Sequence, residues 1–187
     1  MIKVGITGSI GSGKTTSSKF LSYKNGPLFS ADRVVRKLYK KKSFRKLVAK
    51  LLNIKLSRKF NAQLKNKILD RNENLNRLEK IIHPIVRKEM FNFLKINKNK
   101  KILFLEIPLL IESNLAKCFD VLIFIKSRKS LRLKRYKMSR GNEKLFALLD
   151  SRQIKDTKKM NYCDYVIVNN KSLTVLKKKL SNIVKKI

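Results

Sequence analysis

Eight residues near the start limit the folds open to this chain more than anything else in it: Gly8-Ser9-Ile10-Gly11-Ser12-Gly13-Lys14-Thr15. They read G-x-x-x-x-G-K-T, a phosphate-binding pattern that counts only between a strand and a helix. Both neighbours fit. Ile2-Lys3-Val4-Gly5-Ile6-Thr7 is β-rich and mostly apolar, and Thr16 to Leu21 can continue a helix. Wrapping a polyphosphate in backbone N–H groups needs a tight bend with few side chains, which Gly8, Gly11 and Gly13 permit. A helix opening near Gly13 aims its free N–H groups and the positive end of its dipole at the phosphates. Lys14 then reaches the β- and γ-phosphates, and the Thr15 hydroxyl suits Mg²⁺. Ser12 and Thr16 complete the expected ATP-binding set. Three of the 6 glycines in the chain fall in this loop, which weighs against a chance match.

The rest of the chain follows an alternating rhythm. Leu28-Phe29 reads as a short second strand, and Ser30-Ala31-Asp32 opens a helix. From Ser43 to Ile96 the pattern is helical throughout, with one apolar stripe at Leu47, Val48, Leu51 and Leu52, another at Leu75, Leu78, Ile81 and Ile82, and helix starts at Asn61-Ala62-Gln63-Leu64 and Asn72-Glu73. Ile102 to Ile107 and Val121 to Ile125 are buried strands, apolar on both faces. Basic helices follow, from about Lys129 to Tyr136 and Glu143 to Arg152. Asp164 to Val168 is the last strand, and Leu173 to Ile187 a closing amphipathic helix. Strands alternating with helices imply an α/β fold with a mostly parallel sheet. At 187 residues this is one domain carrying a helical insertion too long for a simple crossover.

Composition excludes some classes and leaves one open. No apolar run approaches the ~20 residues of a membrane span. No signal peptide is visible, because Met1-Ile2-Lys3-Val4 enters a strand directly. The 2 cysteines, Cys118 and Cys163, make neither a disulfide framework nor a C-x-x-C zinc motif, so a reducing cytoplasm is expected. The charge is extreme: 47 Lys+Arg against 12 Asp+Glu, net +35. A polyanion partner would use such a surplus. The basic residues are spread along the whole chain, however, and Asn and Ile are abundant too. Compositional bias explains that better, and no specific nucleic acid is expected.

Asp32 is one of few acids, placed just after the second strand at the sheet edge where ligands of open α/β folds bind. Its carboxylate could accept a proton from an attacking hydroxyl. It could equally be a helix cap, and spacing alone leaves the two readings level. Glu106 ends a buried strand, where phosphate-loop proteins often keep an acid near Mg²⁺. His83-Pro84 contains the one His, which reads as a structural residue with Pro in the first turn of a helix. Arg132, Arg135, Arg140 and Arg152 lie on late helices, where arginines can close over a nucleotide and neutralise phosphoryl charge.

The order of these segments resembles dephospho-CoA kinase. Gly5 to Thr16 is similar to that family's G-L-T-G-G-I-G-S-G-K-S-T opening. Ser30-Ala31-Asp32 with Arg36 resembles D-A-D-x-x-x-R, His83-Pro84 its H-P step before a helix, and Glu106-Ile107-Pro108-Leu109-Leu110-Ile111-Glu112 its D-I-P-L-L-F-E. Arg152-Gln153, Asp164-Tyr165-Val166-Ile167 and Asn169-Asn170 match the closing pattern. Ser30 stands where the family's first Asp would be, and the stretch from Arg140 to Lys144 is shorter than its lid segment. The resemblance implies a phosphate-loop kinase fold: a five-stranded parallel sheet, residues 1–30 and 101–187 as nucleotide-binding core, a short lid around 136–152, and 31–100 as the helical substrate-binding region. It implies transfer of the ATP γ-phosphoryl group to the ribose 3′-hydroxyl of 3′-dephospho-CoA. Asp32, Lys14 and Arg140 would be catalytic, and Arg152 would join the ATP site. Arg36, His83, Pro108 and Leu110, with Asp32, would hold the acceptor, and Thr15 and Glu106 the Mg²⁺. A cytoplasmic monomer is expected. The competing readings are another phosphate-loop kinase acting on a nucleoside or nucleotide, and a basic nucleic-acid-binding ATPase.

Overall fold

A computed structural model describes residues 1–139 and 141–187. It divides into two compact units, residues 1–30 with 94–187, and residues 31–93.

The first unit is a parallel sheet covered by helices. Its strands are β1 (Ile2–Thr7), β2 (Leu28–Ser30), β3 (Ile102–Glu106), β4 (Val121–Lys126) and β5 (Tyr165–Val168). They lie in the order β2-β3-β1-β4-β5, every pair parallel. Parallel strands need both faces covered. Hence β1 and β4 are apolar on both faces, and Val4, Ile6, Ile123 and Ile125 are fully buried. Helices α1 (Lys14–Ser22) and α9 (Leu173–Val184) bring Leu21, Leu176 and Leu180 onto the same core. The β5 edge is less covered, and Val166 and Val168 are exposed there. The register sets Glu106 beside both Ile6 and Ser30, so β1, β2 and β3 end level at one edge.

The unit 31–93 is all helical: α2 (Ala31–Lys40), α3 (Lys42–Leu52), α4 (Phe60–Asp70) and most of α5 (Asn72–Ile96). Its core is Leu38, Phe44, Val48, Leu52, Phe60 and Leu78. Tyr39 meets Phe44 edge-on at 5.2 Å, and the Arg45 guanidinium lies over the Phe60 ring at 4.6 Å. The helix starts read at Asn61 and Asn72 fall within a residue of the observed starts of α4 and α5, and the gap before α4 spans residues 53–59, where Asn53 takes a left-handed φ of 50° and ends α3. One sequence expectation is corrected. His83-Pro84 does not open a helix; Pro84 sits inside the 25-residue α5. An interior Pro deletes one backbone hydrogen bond and crowds the preceding turn. Packing of Leu75 and Leu78 on the N-terminal side carries the helix through it.

The remaining helices are α6 (Lys129–Met138), α7 (Glu143–Ser151) and α8 (Asp156–Met160). Asn142 caps α7 by accepting from the Leu145 N–H. The five-residue α8 has no apolar period and is absent from the sequence reading. No helix among the described residues is long and apolar enough to cross a membrane.

Candidate active site

Residues 8–13 form a loop between β1 and α1, and their backbone explains the glycines. Gly11 has φ 74° and Gly13 φ 99°, both left-handed. A Cβ on Gly11 would come within 2.4 Å of the Arg132 carbonyl oxygen, and one on Gly13 within 2.4 Å of Asn169 Nδ2. At Gly11 a side chain is excluded by the Arg132 backbone as well as by torsion; at Gly13 torsion disfavours it and the Asn169 side chain would have to move.

The loop's carbonyls are tied from outside. Asn169 Nδ2 donates to Ser12 O at 2.8 Å, Arg135 Nη1 reaches the same oxygen at 3.5 Å, and Arg132 Nη1 donates to Ile10 O at 3.3 Å. Lys14 is 7% exposed and its ammonium donates to Ser9 O at 3.0 Å, inside the loop. Asp150 holds Arg132 at 2.5 Å. Burial works to raise the Asp150 carboxyl, but the hydrogen bonds and charges of Arg132 and Lys129 outweigh it and hold it below the usual carboxylate range. The Ser12 N–H closes a turn onto Ser9 O at 3.1 Å, and the N–H groups left for an anion are those toward the start of α1. The first turn of α1 agrees. Its N-cap is the left-handed Gly13, no side chain caps it, and it has no acid; α3, α4 and α6 also lack a side-chain cap, but α1 alone of these opens from the glycine loop. The orphan N–H groups and dipole of α1 thus stay available for phosphate. The Ser12 hydroxyl is also buried there without a hydrogen-bond partner among the described residues.

Beside this, the Thr15 hydroxyl donates to Glu106 Oε1 at 2.5 Å, and Ser18 Oγ reaches Oε2 at 3.4 Å. Glu106 is fully buried. A hydroxyl and a carboxylate at one sheet edge form an oxygen donor set that suits Mg²⁺. That ion takes one or two protein oxygens and fills its other positions with phosphate and water. The described residues contain no cluster of three acidic, His or Cys ligands.

The other residues singled out in the sequence fall as follows. Gly8 is buried at the start of the loop, and Thr16 is exposed on α1. Pro108 is half-buried, its carbonyl accepting from Thr7 Oγ1 at 3.1 Å. Leu110 is fully buried and packs over Gly5. Arg152 is exposed at the end of α7. In the helical unit, Asp32 is the second residue of α2 and exposed, with its backbone carbonyl accepting from Arg36 Nε at 3.3 Å. His83 is exposed on α5. Arg140 lies outside the described residues. Arg132 and Arg135, read from the sequence as able to neutralise phosphoryl charge, turn their guanidinium groups mainly to Asp150 at 2.5 Å, and to Ser127 Oγ and Asn169 O at 3.0 Å each, with the loop carbonyls as their longer contacts. Sequence reasoning gave no role to Asn169, Gln153 or Asp156. The tightness of Gly11 and Gly13 was the available sign that something packs against the loop.

The dephospho-CoA kinase family model matches residues 2–174. The chain belongs to the dephospho-CoA kinase family. It is 33% identical over 176 residues to the dephospho-CoA kinase of Bartonella quintana, covering 91% of this chain and 90% of that protein. Among solved structures, a Thermus thermophilus protein superposes with a TM-score of 0.77 at 24% identity, covering 100% of this chain and 97% of that one. The dephospho-CoA kinase of Campylobacter jejuni gives 0.67 at 23% identity, covering 98% and 96%. The phosphate-loop kinase fold read from the sequence is therefore the fold of the chain, and as a member of this family it is an ATP-dependent kinase.

Proposed function

We propose that this kinase transfers the γ-phosphoryl group of ATP to the ribose 3′-hydroxyl of 3′-dephospho-CoA, giving ADP and CoA. The observation that carries the reading is the uncapped start of α1, with Lys14 inside the loop and the Thr15–Glu106 pair beside it, in a chain of this family. The loop amides and Lys14 hold the ATP phosphates, and the Lys14 ammonium exchanges Ser9 O for a phosphate oxygen when ATP binds. Thr15 and Glu106 would hold Mg²⁺, which supplies charge neutralisation on the β- and γ-phosphates. Asp32 orients the acceptor hydroxyl and takes its proton as the new bond to phosphorus forms. Arg36, His83 and Pro108 contribute to acceptor binding. Leu110, with no surface of its own, supports that segment from beneath. Arg140 neutralises charge on the group in transfer and Arg152 joins the nucleotide site. The family resemblance supports these assignments, as does the retained A-D-x-x-x-R spacing of Asp32 and Arg36.

We read the enzyme as a cytoplasmic monomer that uses no nucleic acid. Its charge surplus serves to gather anionic substrates. The deciding assay is ADP release with ATP and Mg²⁺ in the presence of dephospho-CoA, a nucleoside, or single-stranded DNA. Turnover that depends on dephospho-CoA is the expected result. Turnover with the nucleoside, or stimulation by DNA alone, would replace this reading.

A further inference from the structure

The phosphate loop has a second set of anchors, at its tip, and they come from one short segment between α7 and β5. The Ser9 hydroxyl donates to Asp156 Oδ1, and the Ile10 N–H donates to Gln153 Oε1 at 3.0 Å. Ser9 is 3% exposed. Its single O–H is therefore committed to Asp156 and not to water. The segment is itself fixed at its far end. Lys159 is fully buried and lies 2.5 Å from Glu112 Oε1, an ion pair rather than a directed hydrogen bond. The same oxygen accepts from the Ile154 N–H at 3.1 Å. Burying a lysine is expensive unless it is paired, so the position of this segment is strongly specified. Residues 153–159 thus bridge two places that sequence alone leaves unconnected: the tip of the phosphate loop and the turn after β3.

We propose that Asp156 is a positioning residue for ATP: through Ser9 it fixes the tip of the phosphate loop so that the loop's N–H groups stand ready for the phosphates before ATP arrives. Gln153 supports the same tip through Ile10, and the Lys159–Glu112 pair is the base from which both act. A loop that must be ordered at the moment of binding loses affinity to the entropy of ordering. Removing the anchor therefore weakens ATP binding without touching ATP. The acceptor has no such dependence, so its KM is unaffected.

The inference rests on the reading of this loop as the ATP site, and the experiment separates the two. Wild type, Asp156→Ala, Asp156→Asn, Ser9→Ala and the double variant Ser9→Ala with Asp156→Ala are compared as full chains. The readouts are the Kd for ATP, the KM for ATP and for dephospho-CoA, and the melting temperature without nucleotide. Wild type that binds no ATP would defeat the loop assignment itself. If wild type binds, Asp156→Ala is expected to weaken ATP about tenfold, the size of one lost hydrogen bond to a charged group. The KM for dephospho-CoA should stay at its wild-type value, and the melting temperature should fall by only a few degrees, from the Ser9 hydroxyl left without its acceptor. Asp156→Asn keeps an acceptor oxygen and should bind ATP within about twofold of wild type. Both variants remove the same negative charge, so their difference isolates the acceptor from any electrostatic effect on ATP. Ser9→Ala should match Asp156→Ala, and the double variant should be no worse than either. Ser9→Ala also tests the bond should Asp156→Ala fail to fold. Unchanged ATP affinity in Ser9→Ala, equal loss in the Ala and Asn variants, or additive losses in the double variant would each overturn the proposal.

Discussion

The phosphate loop and the helical unit 31–93 are ordered by different means. Loop residues 9, 10 and 12 are held by directed hydrogen bonds: their carbonyls accept from Arg132, Arg135 and Asn169, and the Ser9 hydroxyl and Ile10 N–H donate to Asp156 and Gln153, all more than a hundred residues downstream. The helical unit is held by apolar contact among residues 38–78, with its hydrogen bonds made inside helices or to segments at most 12 residues away. Directed bonds fix where atoms point, and apolar packing fixes whether an element exists at all. Substitutions in the loop should therefore cost activity and leave stability, and substitutions in the helical core should do the reverse.

The largest expected effect is on the second side. Phe60 is fully buried under Arg45, and Phe60→Ala should cost roughly 3–5 kcal/mol. Denaturant unfolding measures it. A loss under about 1 kcal/mol, within reach of an ordinary exposed substitution, would break the contrast. Lys14→Ala tests the first side. The ammonium sits in the loop and fills no apolar core, so kcat should fall by about 10²–10³ while the melting temperature holds. A variant that melted early would place Lys14 among the stabilising residues.

Asp32→Asn sharpens the comparison at the start of α2. Asn and Asp serve about equally at a helix start, so stability should not move. Loss of the basic oxygen should lower kcat by about 10² if Asp32 takes the proton. Unimpaired turnover would return Asp32 to a helix-start role. The smallest effect concerns Asp150, whose carboxyl is held below its usual range by Arg132 and Lys129. A depressed folded-state value contributes stability above the unfolded value, and that contribution is lost as pH falls through the folded value. The window is therefore below about pH 4. Melting curves from pH 7 to pH 2 should show a shallower acid limb for Asp150→Asn than for wild type. Parallel limbs would mean that Arg132 is held by its backbone partners alone.

Much of this was legible in the chain. The loop, β1, α1, the buried strands and Glu106 were all readable, because glycine spacing and apolar runs are local signals. The anchors of the loop were not. Ser9 and Asp156, or Ser12 and Asn169, are separated by 147 and 157 positions, and a hydrogen bond across that distance leaves no periodicity. The short α8 escaped for want of a stripe. Pro84 misled because local propensity marks it as a helix start, and twenty-five residues of α5 override one unfavourable position.

The strand order also governs how the molecule comes into being. β1 is the first element synthesised, yet it is the middle of the sheet, and its partners begin at Ile102 and Val121. It must wait, unpaired, until more than half of the chain exists, and gains its second partner only after about two-thirds. Helices α2 to α5 form from near neighbours during that wait, and their folding shortens the free chain that separates β2 from β3. Pulse-labelled hydrogen exchange during refolding should therefore protect residues 60–90 before Val4 and Ile6. Simultaneous protection would mean that sheet closure is not the slow step. A chain stalled before residue 102 leaves a hydrophobic strand without partners, the kind of segment that chaperones and aggregation compete for.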